Sequence, residues 1–358
     1  MILLVICKMR MHHISRRNTR ENQRARYTLY FHASERKRRI SFRGFLRLDL
    51  SDASCVVHRR VYGACNRRGI KVCLLCQHMY GWYYIEANRN KAAIGRGSYM
   101  ELQNFKLEIN EKGVAVFTSN RPEKMNALND VSWKEITEFF TWANTADEVK
   151  VVIVTGAGDK AFIAGADLGS LKAKTSIQAL GGGGQRALDA IAHCYKPVIA
   201  AVNGYAFGGG CELSLACDFR VCSENAMFAL PEVGLGLLPG AGGTQRLSRL
   251  IGMGRAKDVI LLGRKIGGPE AAQIGLATKC VPQAELMAEA EKMAEKLMAK
   301  GPVAVRVAKR VVEASMSTGE DVGQLLEMLA LSSLFSTEDK LEGVTAFLEK
   351  RSPEYKGK

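Results

Sequence analysis

Apolar and polar positions alternate along FKLEIN (105–110) and again along GVAVFTS (113–119). That period of two predicts a pair of half-buried strands turning at Glu111-Lys112-Gly113. The period then lengthens. VSWKEITEFFTWANT (131–145) repeats its apolar positions every three to four residues and predicts a helix. KVVIVT (150–155) is a short β-branched run, as expected of a strand buried on both faces. Gln185 to Tyr195 reads as a helix that stops before Pro197, and PVIAAVNG (197–204) as the strand after it. QAELMAEAEKMAEKLMAK (283–300) places Leu286, Ala290, Met293 and Leu297 on one face of a helix. Pro302 suits the first position of a further helix, and Ser336 with Asp339 predicts a capping box opening the last one. Strands and helices in alternation predict an α/β fold.

Before residue 100 the pattern fades and the composition changes. The chain of 358 residues carries a formal net charge of +15, but residues 1–99 hold 21 Lys and Arg against 5 Asp and Glu, and the rest 30 against 31. All 8 prolines lie after residue 120, and five of the 6 histidines before residue 79. Met100 stands at the seam. The excess charge therefore belongs to a basic N-terminal extension, and nucleic-acid binding is not expected of the body. Three readings of 1–99 stay open. It is an RNA-binding arm with Tyr80, Trp82, Tyr83 and Tyr84 for stacking. It is an Arg-rich, acid-poor transit segment, which would send the protein to the mitochondrial matrix. Or it is upstream sequence read from too early a start, and so non-native or disordered, which the break at Met100 and the purine-rich codons implied by Gly95-Arg96-Gly97 favour. CLLCQH (73–78) offers CxxC and a histidine, but zinc sites pair two such ligand sets and the second is poor here. ILLVI (2–6) lacks the basic region of a secretory signal, and no apolar run is long enough to cross a membrane. The 10 scattered cysteines fit a cytoplasmic protein with reduced thiols.

Three stretches carry candidate chemistry. In VTGAGDKAFIAGADL (154–168), Gly156, Gly158 and Ala161 fit a dinucleotide fingerprint. Phe162 to Gly165 breaks the helix that fingerprint needs, and no acid follows about twenty residues on, which excludes a nicotinamide site. NGYAFGGGCELSLACD (203–218) runs three glycines into Glu212 at the start of a greasy helix. Glycines admit close backbone approach, and a helix start aims free N–H groups at the same spot, a fit for an oxygen gaining negative charge. FALPEVGLGLLPGAGGTQRL (228–247) sets a second acid, Glu232, among Phe228, Leu230, Val233 and Leu235. Two carboxylates at one reacting bond divide acid and base work. His193-Cys194 looks like a nucleophile pair, but neighbours on a helix point different ways, and Cys211, Cys217 and Cys222 read as small core residues.

With KAFIAGADL (160–168), KPVIAAVNGYAFGGGCELSLACD (196–218) and FSTEDKLEGVTAFLEKR (335–351) in this order, the chain from Met100 onward resembles the crotonase family, specifically its bacterial short-chain enoyl-CoA hydratases. The resemblance implies a crotonase-like fold: a spiral of ββα units over 100–295 and a C-terminal helical region, 296–358, that trimerises. It implies an acyl-CoA thioester substrate and reversible syn addition of water to a trans-2-enoyl-CoA, giving a 3-hydroxyacyl-CoA. Glu212 and Glu232 would be the acid–base pair, and the N–H groups of Ala166 and Gly209 the oxyanion hole. Ala164, Asp167, Leu168 and Gly169 match positions that touch coenzyme A. Phe347 and Lys350 match positions in the last helix that hold its nucleotide end, often from a neighbouring subunit. Gly181 to Gly184 falls where the family has a variable segment beside the acyl pocket, and reads equally as a plain loop. No metal or redox cofactor is implied, and the assembly would be a homotrimer or a dimer of trimers. Many hydratases carry glutamine where Leu230 stands, which leaves the acyl preference open. The rival activities are enoyl-CoA isomerase or other enolate chemistry, and RNA binding through residues 1–99.

Overall fold

A computed structural model describes residues 102–358 and, before them, the backbone of two strands, β1 (Arg26–Ser34) and β2 (Ser41–Asp49), which pair antiparallel. The chain divides into two units between Ala93 and Ile94. The zinc reading at 73–78 and the aromatic residues 80–84 lie outside the described residues, and the strand pair decides none of the three readings of 1–99.

The hairpin forms as its alternation predicts. β3 (Phe105–Ile109) and β4 (Val114–Ser119) pair antiparallel, turning through Gly113 at a φ of 90°. Asn129 and Ser132 then cap α1 (Asp130–Ala143) reciprocally. β5 (Val151–Gly156) and β6 (Ala161–Ile163) lead into three short helices, α2 (Leu168–Ala173), α3 (Ser176–Leu180) and α4 (Gly183–Ala192). β7 (Val198–Val202) and β8 (Tyr205–Phe207) lead into α5 (Gly209–Ala216). β9 (Phe219–Ser223) and β10 (Met227–Ala229) lead into α6 (Gly243–Ile251) and α7 (Met253–Leu261). β11 (Ile266–Gly267), α8 (Gly268–Gln273) and β12 (Lys279–Val281) finish the strands. Four helices close the chain: α9 (Leu286–Met298), α10 (Pro302–Ala314), α11 (Glu320–Leu334) and α12 (Glu338–Leu348).

The strands form a six-stranded sheet, ordered β12-β9-β7-β5-β4-β3, and a four-stranded sheet, ordered β11-β10-β8-β6, and the pairs β5/β6, β7/β8 and β9/β10 each place their first strand in the large sheet and their second in the small one. This is the spiral of ββα units that the resemblance implied. All six residues of β5 are buried, because the large sheet is covered on both faces. Val152 and Val154 belong to the main core with Phe117, Phe139 and Leu213, whereas Val151 and Ile153 pack with Leu286, Ala290 and Ala294 of α9. The boundary expected between 295 and 296 falls within α9. α10 begins with proline at its start, as expected, and Lys309 on it pairs with Asp218 Oδ2 at 2.8 Å and also reaches the Lys196 carbonyl. The capping box expected at Ser336 and Asp339 does not form, and the cap falls one residue later without a reciprocal partner. Thr337 caps α12, accepting from the Lys340 N–H, because Asp339 is buried and receives the N–H groups of Lys356 and Gly357 from the C-terminal tail. No helix among the described residues is long and apolar enough to cross a membrane.

One close approach sets where the site forms. α5 lies so near β6 that a Cβ on Gly210 would overlap the Ile163 carbonyl oxygen. Gly210→Ala should therefore destabilise the fold by about 3 kcal/mol in urea unfolding, as overpacking against backbone does. Gly254→Ala, in α7 with open space around it, should be neutral or stabilising by up to about 1 kcal/mol.

Candidate active site

Two loops meet where β6 and β8 end. After β6, Leu128 and Ala166 form an isolated parallel bridge in which the Leu128 N–H donates to the Gly165 carbonyl and the Asp167 N–H to the Leu128 carbonyl. A parallel bridge uses the flanking groups, so the N–H of Ala166 itself points away from Leu128. After β8, Gly208 takes a φ of 50° and α5 begins, leaving the Gly209 N–H as the first of its helix. The loops touch: a Cβ on Gly165 would come within 3.3 Å of the Phe207 carbonyl oxygen. Trp133 from α1 backs the junction, 3.2 Å from where a Cβ of Gly209 would sit. The Ala166 N–H is thus left unused by the bridge, and the Gly209 N–H opens a helix on the neighbouring loop.

Glu212 is only 3% exposed, one turn into α5. Its Oε1 accepts the N–H of Ala241 at 2.7 Å and of Gly243 at 2.8 Å. Burial pushes its carboxyl above the usual range, opposed by the Gly243 and Ala241 N–H groups and by the positive charge of Arg246. Glu232 opens a 3-10 turn, Glu232–Leu235, after β10. Its Oε1 lies 3.0 Å from where a Cβ of Gly208 would be, so it presses on the same glycine run. Its Oε2 is buried with no hydrogen-bond partner among the described residues. Burial raises the Glu232 carboxyl to about 7, with the nearby Glu212 charge adding to the rise. The two acids thus occupy opposite kinds of site, one anchored by donors and one left free.

The other expected residues divide. Ala164, Asp167, Leu168 and Gly169 share the loop that carries Ala166. The Ala164 N–H donates to the Met125 carbonyl, Asp167 caps α2 through the N–H groups of Gly169 and Ser170, and Leu168 is exposed. Phe347 is 82% exposed on α12, and Lys350 lies beyond that helix rather than in it, at a φ of 56°. No hydrogen bond or ion pair joins either to the Ala164–Gly169 loop. Gly181 to Gly184 is no plain loop: Gly182, at a φ of 60°, separates α3 from α4, and Gly183 and Gly184 begin α4 ahead of the expected Gln185. Cys194 is buried while His193 meets the Asp189 carbonyl, so they form no nucleophile pair. Cys211, Cys217 and Cys222 are buried free thiols, and burial drives the Cys217 thiol to about 12. The backbone donors at Ala241 and Gly243 escaped the sequence reading. The glycine-rich run at 240–243 was their only signal.

The Enoyl-CoA hydratase/isomerase family matches residues 109–358. The chain is 46% identical over 257 residues to the short-chain-enoyl-CoA hydratase of Clostridium acetobutylicum, covering 71% of this chain and 98% of that protein. It is 45% identical to the crotonyl-CoA hydratase of Syntrophomonas wolfei, covering 72% and 99%. Among solved structures, the enoyl-CoA hydratase of Bacillus anthracis superposes with a TM-score of 0.69 at 41% identity, over 72% of this chain and all of that one.

The raised Glu232 carboxyl has a consequence for stability. The fold holds a proton there that an unfolded glutamate, at its usual 4.5, releases. Stability from this group is full below pH 4.5 and is lost as pH rises towards 7. Glu232→Gln should therefore gain in melting temperature relative to the parent between pH 4 and pH 8. A gap independent of pH would contradict the raised value.

Proposed function

The chain belongs to the enoyl-CoA hydratase/isomerase family, and from that premise we propose how its residues add water to a trans-2-enoyl-CoA. Its activity is that of an enoyl-CoA hydratase, and its substrate an acyl-CoA thioester. The thioester oxygen sits between the N–H groups of Ala166 and Gly209. As enolate character develops, each donor contributes about 3–4 kcal/mol of transition-state stabilisation. Glu212, whose two backbone donors favour the carboxylate, takes a proton from the attacking water. The hydroxyl forms its bond to the β-carbon. Glu232, whose raised value favours the acid, gives its proton to the α-carbon on the same face. A proton then passes from Glu212 back to Glu232, directly or through solvent, and the pair is reset. The thioester supplies the activation, so the reaction written this way uses no metal or redox cofactor. Ala164, Asp167, Leu168 and Gly169 flank coenzyme A, and Phe347 and Lys350 hold its nucleotide end from a neighbouring subunit.

The observation that carries this reading is the pairing of a carboxylate anchored by two backbone donors, Glu212, with one whose buried Oε2 has no partner among the described residues, Glu232. The assembly we propose is a homotrimer or a dimer of trimers. Exposed Leu325, Met328 and Leu329 of α11 and Phe335 beyond it supply apolar surface for neighbouring copies to cover. The proposed location is the cytoplasm.

Glu212→Gln and Glu232→Gln should each lower kcat by about 10²–10⁴-fold, read as loss of enoyl absorbance with crotonyl-CoA, while circular dichroism stays unchanged. A variant that keeps kcat within tenfold of the parent has no acid–base role at that position. Double-bond migration without hydration would instead establish the isomerase.

A further inference from the structure

Arg246 stands in the first turn of α6 and folds back over the loop before it. Its Nη1 donates to the Ala241 carbonyl at 2.9 Å, and its Nη2 to Asp189 Oδ1 of α4, also at 2.9 Å. Ala241 is the residue whose N–H reaches Glu212 Oε1. The guanidinium therefore grips the far side of the residue that holds the buried carboxylate. The backbone makes room for this grip: Gly242 takes a φ of 104°, and a Cβ there would overlap Arg246 Nη1. Gly243, the second donor to Glu212, has no space for a side chain either, since a Cβ would lie 2.9 Å from Glu212 Oε1. The loop is thus pressed between a carboxylate on one side and a guanidinium on the other.

We infer that Asp189 and Arg246 are positioning residues for the reaction: Arg246, steered by Asp189, locks the 241–243 loop so that its N–H groups hold Glu212 in the reactive orientation. This rests on Glu212 being the catalytic base. The fork of an arginine meets a carbonyl and a carboxylate together, which a lysine ammonium on a flexible stem does less well. The Asp189–Arg246 pair is partly exposed, with side-chain exposures of 45% and 22%, so it adds little to global stability. Its contribution lies in fixing the angle of the loop. The charged and titratable groups facing Glu212 are Arg246 from α6, Glu232 from the turn after β10, and the Cys211 thiol on α5 itself. Arg246 is the positive one, and it favours the Glu212 carboxylate.

The test compares Arg246→Met, Arg246→Lys, Asp189→Asn and Glu212→Gln in the full chain, with kcat, KM and the pH profile for crotonyl-CoA hydration. Arg246→Met should lower kcat about tenfold or more with KM unchanged, the size of one lost charge-assisted hydrogen bond. The acid limb of its kcat/KM profile should move up, because Glu212 loses a positive neighbour. Arg246→Lys should restore the limb while recovering only part of kcat. Asp189→Asn, the milder change, should lower kcat about threefold with KM unchanged, and it decides the matter alone if Arg246→Met is not recovered folded. If Glu212→Gln is inactive yet the Arg246 and Asp189 variants keep kcat within twofold and an unmoved limb, the positioning role is overturned and the base assignment stands. If Glu212→Gln stays active, the base assignment fails and the positioning role with it.

Discussion

Burying the Glu212 carboxylate constrains the rest of the molecule. An ionised carboxyl taken out of water costs several kcal/mol unless donors replace the lost solvent. Here the donors are the Ala241 and Gly243 N–H groups, so the loop at 240–243 must press directly on α5. Gly242 needs a positive φ and Gly243 has no room for a Cβ. On its other side α5 must lie against β6, and Gly210 is the residue that permits it. The two glycine-rich runs, at 208–210 and 240–243, are far apart in sequence yet serve one buried charge.

The second carboxylate completes the chemistry by being treated differently. Glu232 is buried enough to be raised to about 7, but one of its oxygens has no donor. Burial raises both carboxyls, but at Glu212 two backbone donors and Arg246 oppose the rise, while at Glu232 the nearby Glu212 charge adds to it. That difference comes from backbone geometry, since the donors to Glu212 are peptide N–H groups held by the turn of the chain. The same economy applies to the Ala166 and Gly209 N–H groups, which are aimed by a parallel bridge and a helix start rather than by any side chain.

Much of this was legible in the residues. The period-two hairpin, the buried β5 run and the amphipathic α9 follow from local pattern, because burial on a sheet or one helix face repeats with a fixed spacing. Glu212 and Glu232 were visible as charges in apolar surroundings. What escaped was set by contacts distant in sequence. Thr337 caps α12 in place of Ser336 because Asp339 is recruited by the C-terminal tail, 17 residues on. The start of α4 at Gly183 was hidden, since glycines disfavour helices on propensity alone. The role of Ala241 and Gly243 had no side chain to announce it, and that of Arg246 depends on a partner 57 residues earlier.

The central claim is that two carboxyls on one face of an enoyl thioester deliver the elements of one water. The most direct measurement is proton NMR of the 3-hydroxyacyl-CoA formed from crotonyl-CoA in deuterium oxide. The account predicts a single deuterium at the α-carbon, in one configuration, on the same face as the new hydroxyl. Deuterium in both configurations, or hydroxyl and deuterium on opposite faces, would contradict it.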